Sequence, residues 1–390
     1  MKITDIKSLR LRAPLGAQGQ VESRTGVRTH RYGFLVEVHT DDGVTGVGSC
    51  SGNGLLLESV VAHVLKPLLV GMDPLDIGEI WDTAYFRAGA RAFGSRGVGV
   101  VALSGVDIAL WDIAGKVKGV PVYELLGGKR RDPVEVYATA LYPEETRAAV
   151  EKAEKLAERG FHGIKIKVGF DLARDIEIVS AVRSALGTDF PLMTDANMGY
   201  GLDVAVAAAD AFEKLGIGWL EEPLFMEDVA GHAELKARTG VPVALGENLH
   251  TRFAFESFMA RDAVDVLQPD VARAGGISEV RTIAAAAAER GLPVSLHTYG
   301  DGVALAASLH LAAALENSAV MEFDYNENPL RSALLQEPLE PKNGFMRPPD
   351  APGLGVTLDP EALRRYHFEG GGDLALWRRT LRDAAESPRD

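Results

Sequence analysis

The chain of 390 residues is long enough for two domains, or for one barrel with an appended unit. Its composition, 46% hydrophobic and 25% charged, is ordinary for a globular protein, and its net charge of −14 argues against nucleic acid or an anionic membrane as a partner. Cys50 is the one cysteine, which excludes an internal disulfide. There is no apolar leader and no uninterrupted apolar run of about 18 residues, so we expect a cytoplasmic protein without a transmembrane helix.

The first third of the chain predicts a small α+β unit. Residues 2–12 and 32–40 alternate like strands, and Asp41-Asp42-Gly43 is typical of a hairpin turn that leads into a return strand at 44–48. Residues 55–70 and 97–118 carry apolar side chains at helical spacing. We expect this unit to occupy residues 1–128.

After about residue 133, short apolar runs alternate with helical stretches, which indicates a parallel sheet. Eight such runs fit a closed barrel better than an open sheet. The predicted strands are Val134–Thr139, Gly163–Lys167, Leu192–Asp195, Trp219–Glu221, Val243–Glu247, Val264–Asp270, Val294–His297 and Val320–Glu322. We expect the barrel to span residues 129–335, and the Pro- and Gly-rich segment 336–390 to pack back on the first unit.

Charged residues stand at the C-terminal ends of these strands, which is the end where barrel active sites lie. From Asp195 onward they recur every 23 to 27 residues, close to the length of one strand–helix unit. We therefore expect them to meet at one mouth of the barrel. They are Lys165, Lys167, Asp195, Glu221, Glu247, Asp270, His297 and Glu322.

Three of these residues predict a metal site. The carboxylates of Asp195, Glu221 and Glu247 would repel one another if brought together, and a divalent cation removes that repulsion. Hard oxygen ligands without a neighbouring cysteine favour Mg²⁺, with Mn²⁺ as the alternative, over zinc.

The remaining charged residues suggest acid–base chemistry. Lys165 and Lys167 face the same side of a strand, so their ammonium groups should lower each other's pKa and leave Lys167, nearer the mouth, to act as a base. Asp270 and His297 end neighbouring strands, where the carboxylate can orient the imidazole and favour its protonated form. The sequence thus predicts two catalytic groups on opposite sides of a bound substrate.

In this order the motifs resemble the mandelate racemase subgroup of the enolase superfamily. The motifs are Lys165-Ile166-Lys167, Asp195-Ala196-Asn197, Trp219-Leu220-Glu221-Glu222-Pro223, Gly246-Glu247, Gln268-Pro269-Asp270 and His297, with Ser104 to Asp112 and Leu125-Leu126-Gly127-Gly128 in the first unit. Each motif alone is weakly specific, whereas the whole set in order covers nearly the entire chain.

The resemblance implies an α/β fold in which an N-terminal α+β capping domain precedes a modified TIM barrel, (β/α)7β. It implies Mg²⁺ on Asp195, Glu221 and Glu247, an enediolate intermediate, and Lys167 and His297 as acid–base catalysts on opposite faces. Glu322 matches the acidic group that hydrogen-bonds the substrate carboxylate in this family, although Asp324 competes for that role, and Asn197 is expected near the site. A homo-oligomer, often an octamer in this family, is also implied.

Several reactions could start from one such intermediate. Dehydration of a sugar acid to a 2-keto-3-deoxy acid ranks first, with His297 protonating the departing hydroxyl. Cycloisomerisation, which opens a sugar-acid lactone or anhydro-sugar acid, ranks second because residues 320–329 resemble such enzymes, and racemisation or epimerisation ranks third. A non-catalytic sugar-acid binder on the same barrel is the alternative from another class.

Each residue also has an ordinary structural interpretation. Asp195 alone would more often cap a helix, the two lysines would more often be solvated, and His297 would more often be a hydrogen-bonded structural histidine. The joint spacing is what favours a functional site over these separate explanations.

Overall fold

A computed structural model describes residues 1–16, 19, 21–23, 26–87, 89–142 and 144–370 of the chain. The N-terminal part contains an antiparallel sheet in the order β1-β4-β5, formed by β1 (Ile3–Pro14), β4 (His30–Thr40) and β5 (Thr45–Cys50). A two-stranded hairpin, β2 (Val21–Ser23) and β3 (Gly26–Arg28), lies between β1 and β4 in the chain. The predicted strands and the turn at Asp41-Asp42-Gly43 are therefore present.

Helices cover one face of this sheet. They are α1 (Gly54–Val60), a π-helical turn (Val61–Leu65), α2 (Lys66–Leu69), α3 (Ile77–Asp82), a second π-helical turn (Thr83–Arg87), α4 (Gly89–Phe93), α5 (Val98–Lys118) and α6 (Val122–Leu125). By length and composition α5 could cross a membrane, but almost all of it is buried inside the protein. It is the central helix of the cap, packed against β5 and against the barrel helix Gly276–Ala288.

The barrel consists of parallel strands that alternate with helices. Its strands are β6 (Val134–Leu141), β7 (Ile164–Lys167), β8 (Leu192–Asp195), β9 (Leu220–Glu221), β10 (Val243–Leu245), β11 (Val266–Leu267) and β12 (Met321–Asp324). Its helices are α7 (Thr146–Glu158), α8 (Leu172–Leu186), α9 (Leu202–Lys214), α10 (Val229–Arg238), α11 (Thr251–Met259), α12 (Gly276–Ala288) and α13 (Gly302–Ala314). The predicted α/β barrel with an N-terminal α+β cap is confirmed.

The predicted strand Val294–His297 is irregular. It is bridged at single points rather than by a continuous ladder: Leu267 of β11 is opposite Val294, Asp270 beyond β11 is opposite His297, and Val294 is opposite Ser318, which precedes β12. The Glu322 N–H of β12 donates to the Leu296 carbonyl at 3.2 Å. Pro269 is one reason, because it lacks the N–H that a regular ladder would use. These bridges still close the ring of strands, so the mouth of the barrel is continuous at His297.

The end of the described chain lies against the cap. After the short helix α14 (Pro329–Ser332), β13 (Phe345–Met346) pairs with β6, and α15 (Pro360–Tyr366) leads to a bridge between His367 and Leu11. The Phe368 N–H donates to the Arg10 carbonyl at 2.9 Å, and the Arg12 guanidinium lies 4.2 Å from the centre of the Phe368 ring. Residues 371–390 of the predicted C-terminal segment are outside the described residues.

The cap requires glycine where β5 meets α5. A Cβ at Gly48 would overlap the carbonyl oxygen of Gly105 in α5. We expect Gly48→Ala to destabilise the protein by about 1–3 kcal/mol, since the strand and helix would have to separate. Thermal unfolding followed by circular dichroism measures this effect.

Gly78→Ala in α3 is the matched control, because no atom lies within 4 Å of a Cβ built there. It should unfold at the parent temperature or slightly above. Equal unfolding temperatures for the two variants would contradict close packing between β5 and α5.

Candidate active site

Lys165 lies at the centre of the candidate site. Its side chain is fully buried, and its Nζ is 2.7 Å from Glu221 Oε1, 2.9 Å from Glu322 Oε1 and 3.4 Å from Asp195 Oδ2. These partners belong to β9, β12 and β8, so one ammonium group bridges acidic residues from across the barrel. Burial lowers the pKa of Lys165, but Glu221 and Glu322 outweigh it and hold the pKa well above the ordinary value.

Lys167 lies one step closer to the mouth. Its Nζ donates to Asp195 Oδ2 and, at 2.9 Å, to Asn197 Oδ1. Asn197 has a backbone φ of 40° and its N–H donates to Asp195 Oδ1 at 2.9 Å, so the loop after β8 folds back over the strand end. Asn197 is therefore brought to the site, as the sequence suggested.

The pKa of Lys167 differs in direction from the prediction. Burial lowers it and Lys165, as anticipated, lowers it further, but the carboxylates of Asp195 and Glu247 outweigh both and raise the pKa. The acidic residues that surround Lys167 thus have a larger effect on its pKa than the neighbouring lysine does.

Asp195, Glu221 and Glu247 lie together at the predicted metal position. Each can direct one carboxylate oxygen so that the three atoms lie within 4.8 Å of one another. Glu221 Oε2 accepts hydrogen bonds from Gln268 Nε2 at 2.6 Å and from Trp219 Nε1 at 3.2 Å, which orient that carboxylate.

The donor set suits a divalent cation. Burial and the Asp195 carboxylate raise the pKa of Glu221 to about 8. Ionising Glu221 beside Asp195 is therefore costly without a compensating cation. Three oxygen ligands with no sulfur nearby suit Mg²⁺ or Mn²⁺. The residues present therefore fit the predicted metal.

His297 stands against Asp270 as predicted. Its Nδ1 is 2.7 Å from Asp270 Oδ2, while its Nε2 points into the site, 3.1 Å from Glu247 Oε2 and 3.5 Å from Glu322 Oε2. Burial lowers the pKa of His297, but Glu322 and Glu247 outweigh it and raise the pKa well above the ordinary value. The Asp270 carboxylate thus orients the imidazole, and the carboxylates of Glu322 and Glu247 favour its protonated form.

Glu322 and Asp324 have different surroundings. Glu322 lies inside the barrel, where Thr139 Oγ1 and the Thr298 N–H donate to it, and where Lys165 and His297 overcome the effect of burial and lower its pKa to about 2. Asp324, two residues on, pairs instead with Arg31 of the cap at 2.9 Å. The geometry favours Glu322 over Asp324 for a place beside the substrate.

Sequence reasoning missed two residues that support the carboxylates. Asn248 Nδ2 donates to both carboxylate oxygens of Glu222 at 2.9 Å and to Glu247 Oε1 at 3.2 Å, and Asn248 Oδ1 accepts from Arg273 Nη2 at 2.8 Å. Asn248 directly follows Glu247 and Arg273 lies three residues after Asp270, so a search one to three residues beyond the predicted strand ends would have found them.

Two family models match the chain. Residues 10–127 match the mandelate racemase / muconate lactonizing enzyme N-terminal domain, and residues 148–362 match the enolase C-terminal domain-like family. The chain belongs to the mandelate racemase subgroup of the enolase superfamily. The predicted family is confirmed.

Relatives with assigned activities include sugar-acid enzymes. The chain is 39% identical to the D-galactarolactone cycloisomerase of Agrobacterium fabrum, over 94% of this chain and 99% of that protein. It is 38% identical to the arabinonate dehydratase of Saccharolobus solfataricus, over 85% of this chain and 89% of that protein. A solved racemase of Streptomyces coelicolor with bound magnesium superposes with a TM-score of 0.86 at 31% identity, over 94% of this chain and all of that one.

Together these similarities support an enolase-superfamily enzyme that acts on a small sugar acid or lactone. Superfamily members bind Mg²⁺, and the acidic triad of this chain is consistent with that metal. The relatives differ in reaction, one a cycloisomerase and one a dehydratase, so family membership alone leaves the reaction open.

Changing one member of the triad should weaken metal binding. We expect Asp195→Asn to reduce Mg²⁺ affinity by at least about tenfold, because an amide oxygen lacks the negative charge that a hard cation requires. Isothermal titration of the protein with MgCl₂ measures the affinity.

The control is Asp203→Asn, which removes an exposed carboxylate from the first turn of α9 and should leave the affinity unchanged. If Asp195→Asn bound Mg²⁺ as tightly as the parent, the assignment of the triad as the metal site would be wrong.

Proposed function

We propose that the protein removes the proton alpha to the carboxylate of a sugar acid and then expels the oxygen on the β-carbon. The observation that carries this proposal is the placement of Lys167 and His297 on separate strands with the triad between them. Lys167 contacts Asp195 on one side, and His297 Nε2 lies 3.1 Å from Glu247 on the other. A substrate carboxylate held at the triad would present its neighbouring carbon to both groups.

The proposed metal ligands are Asp195, Glu221 and Glu247. When bound there, a divalent cation supplies Lewis-acid stabilisation of the negative charge that develops on the substrate carboxylate, and it compensates the charge of the three ligands. Glu322 and Asn197 line the same space and offer hydrogen-bonding partners to the substrate.

Lys167 is the proposed base. Once the triad charges are compensated, burial and Lys165 are the influences that remain on the pKa of Lys167, and both lower it. A neutral Nζ can then accept the α-proton. Lys165, hydrogen-bonded within the acidic cluster, stays charged and tunes its neighbour.

His297 is the proposed general acid, with Asp270 as its orienting partner. Glu322 and Asp270, which are not proposed metal ligands, both raise the pKa of His297 and favour the imidazolium, so Nε2 can donate a proton to the departing oxygen. The α C–H bond and the β C–O bond break, the leaving oxygen takes the proton from His297, and the resulting enol tautomerises to a 2-keto-3-deoxy acid.

Dehydration, in which the leaving oxygen departs as water, is the first candidate. Cycloisomerisation is the second: the leaving oxygen then belongs to a lactone or anhydro ring and stays attached to the product. The 39% identity to a galactarolactone cycloisomerase favours keeping this second candidate. Racemisation ranks third, and a binder without activity ranks last because each proposed base, acid and ligand is present.

A cytoplasmic location, a homo-oligomeric assembly and the absence of nucleic-acid or membrane partners stay predictions. The domain limits at residues 128 and 335 also stay predictions.

The reaction can be identified by proton NMR in D₂O with Mg²⁺ and a panel of aldonic acids, aldaric acids and their lactones. We expect a 2-keto-3-deoxy product from an open-chain acid, which would identify a dehydratase. Product from lactones or anhydro-sugars alone would identify a cycloisomerase. Exchange of the α-proton without elimination would favour epimerisation, and no exchange from any compound would overturn the proposed function.

Substitutions of the two proposed catalytic residues should affect α-proton exchange and elimination differently. Lys167→Met should abolish both α-proton exchange and elimination, because no base remains. His297→Asn should reduce elimination by about 10²–10⁴-fold while some α-proton exchange persists, because Lys167 can still remove the proton.

The same NMR assay reports both rates, and titration with Mg²⁺ checks that each variant still binds the metal. Unchanged elimination in His297→Asn would exclude this residue as the general acid.

A further inference from the structure

A group of aromatic and charged side chains lies between the cap and the barrel, beside His297. We call it the mouth cluster: Arg28, Arg31, Tyr142, Tyr299 and Asp324. The Tyr299 ring is stacked beside the His297 imidazole, with ring centres 6.4 Å apart, and its hydroxyl is 2.7 Å from the Tyr142 hydroxyl. The cluster is therefore continuous with the proposed active site.

The Arg31 guanidinium is not fully hydrogen-bonded by the described residues. Its side chain is buried, its Nε donates to the Glu327 carbonyl at 3.1 Å, and its Nη2 lies 2.9 Å from Asp324 Oδ2. Neither Nη1 nor Nη2 makes a hydrogen bond of good geometry to a described residue, although Nη2 is held in the ion pair with Asp324. A buried N–H without a partner is costly, so a ligand that accepts from it would be favoured.

Arg28 adds a second cation at the same place. The Arg31 guanidinium lies 4.5 Å from the centre of the Tyr299 ring, and that of Arg28 lies 5.2 Å from it. Arg31 is paired with Asp324, whereas Arg28 has no ion pair with any side chain that the structure describes. Arg28 is half-buried, so the pair of arginines extends from the interior toward the solvent.

We propose that Arg31 and Arg28 bind a second carboxyl group at the far end of the substrate. The inference rests on the proposed function and narrows it to dicarboxylic sugar acids, or their monolactones, in preference to monocarboxylic ones. A planar guanidinium suits this task because its parallel N–H groups match the two oxygens of a carboxyl group.

Tyr299 links the proposed acid to the two arginines. A six-carbon acid spans on the order of 6 Å between its end carbons, given C–C bonds of about 1.5 Å. The Tyr299 ring lies 6.4 Å from the imidazole that would act on the near end, and the Arg31 guanidinium lies against that ring. Tyr299 therefore connects the arginines to the imidazole that would act on the near end of the substrate.

A purely structural role for Arg31 explains only part of these contacts. The ion pair with Asp324 joins the cap to β12 and accounts for Nη2. It explains neither the unused Nη1 nor the position of Arg28 against the same ring. A distal carboxyl group would account for both observations.

The test compares matched acids that differ at one end: galactarate with galactonate, and glucarate with gluconate. In each pair the second compound carries a hydroxymethyl group in place of the distal carboxylate. With the Mg²⁺-loaded parent we expect kcat/KM for α-proton exchange or elimination to favour the dicarboxylate by at least about 100-fold in the pair that reacts.

Arg28→Gln and Arg31→Lys should each reduce that preference by about tenfold or more, by slowing the dicarboxylate and not the monocarboxylate. Arg31→Lys keeps the charge opposite Asp324, so folding is protected. Arg12→Gln is the matched control: it removes an arginine from the same cap sheet, but one that contacts Phe368 instead of Tyr299, and the preference should not change.

Calorimetric measurement of the binding of each compound distinguishes failure of this inference from failure of the proposed function. Equal use of both acids by the parent, or an equal loss for both in the two arginine variants, would overturn the distal-carboxyl site and leave the proposed function standing. If no acid reacts but the dicarboxylate binds in an arginine-dependent way, the proposed function fails and the site stands. If no acid reacts and none binds, both fail.

Discussion

The crowding of carboxylates around one buried ammonium group is the constraint on which the site depends. Asp195, Glu221 and Glu322 all lie within 3.4 Å of Lys165 Nζ, in the interior of the barrel. So many buried acidic groups are tolerated only with compensating positive charge. Lys165 supplies one such charge, Lys167 and His297 contact the same group of carboxylates, and a divalent cation at the triad would add further compensation. The same electrostatic requirement thus links the strand ends and makes the triad suited to a divalent cation.

Much of this arrangement could be predicted because a parallel barrel brings equivalent strand ends to one mouth. That rule brought Lys167, Asp195, Glu221, Glu247 and His297 together from their positions at the predicted strand ends. It could not give the direction of the Lys167 pKa, which depends on how closely Asp195 and Glu247 approach it. Nor could it show that Val294–His297 closes the ring through isolated bridges, because that irregularity depends on the register of both neighbouring strands.

Contacts between cap and barrel were the least predictable part of the site. Arg31 and Asp324 are far apart in sequence, and no local pattern relates them. They meet because α5 fixes the cap on the barrel: Trp111 Nε1 donates to Ser278 Oγ at 2.9 Å, and the Ser278 N–H donates to Asp107 Oδ2 at 3.0 Å. Two acidic residues on one strand thereby acquire separate partners, Glu322 within the barrel and Asp324 in the cap.

Because the barrel and the cap contribute different groups to the site, the proposed base and acid alone do not determine the reaction. A lysine, an imidazolium and a cation can promote loss of a hydroxyl or of a ring oxygen from the same carbanion-like state, so the outcome depends on which oxygen is placed near His297. That placement is governed by where the rest of the substrate is held. In this chain the groups able to hold it are Tyr299, next to the imidazole, and the arginines of the cap that contact its ring. In the proposed function, the barrel would supply the chemistry and the cap would select the molecule on which it is performed.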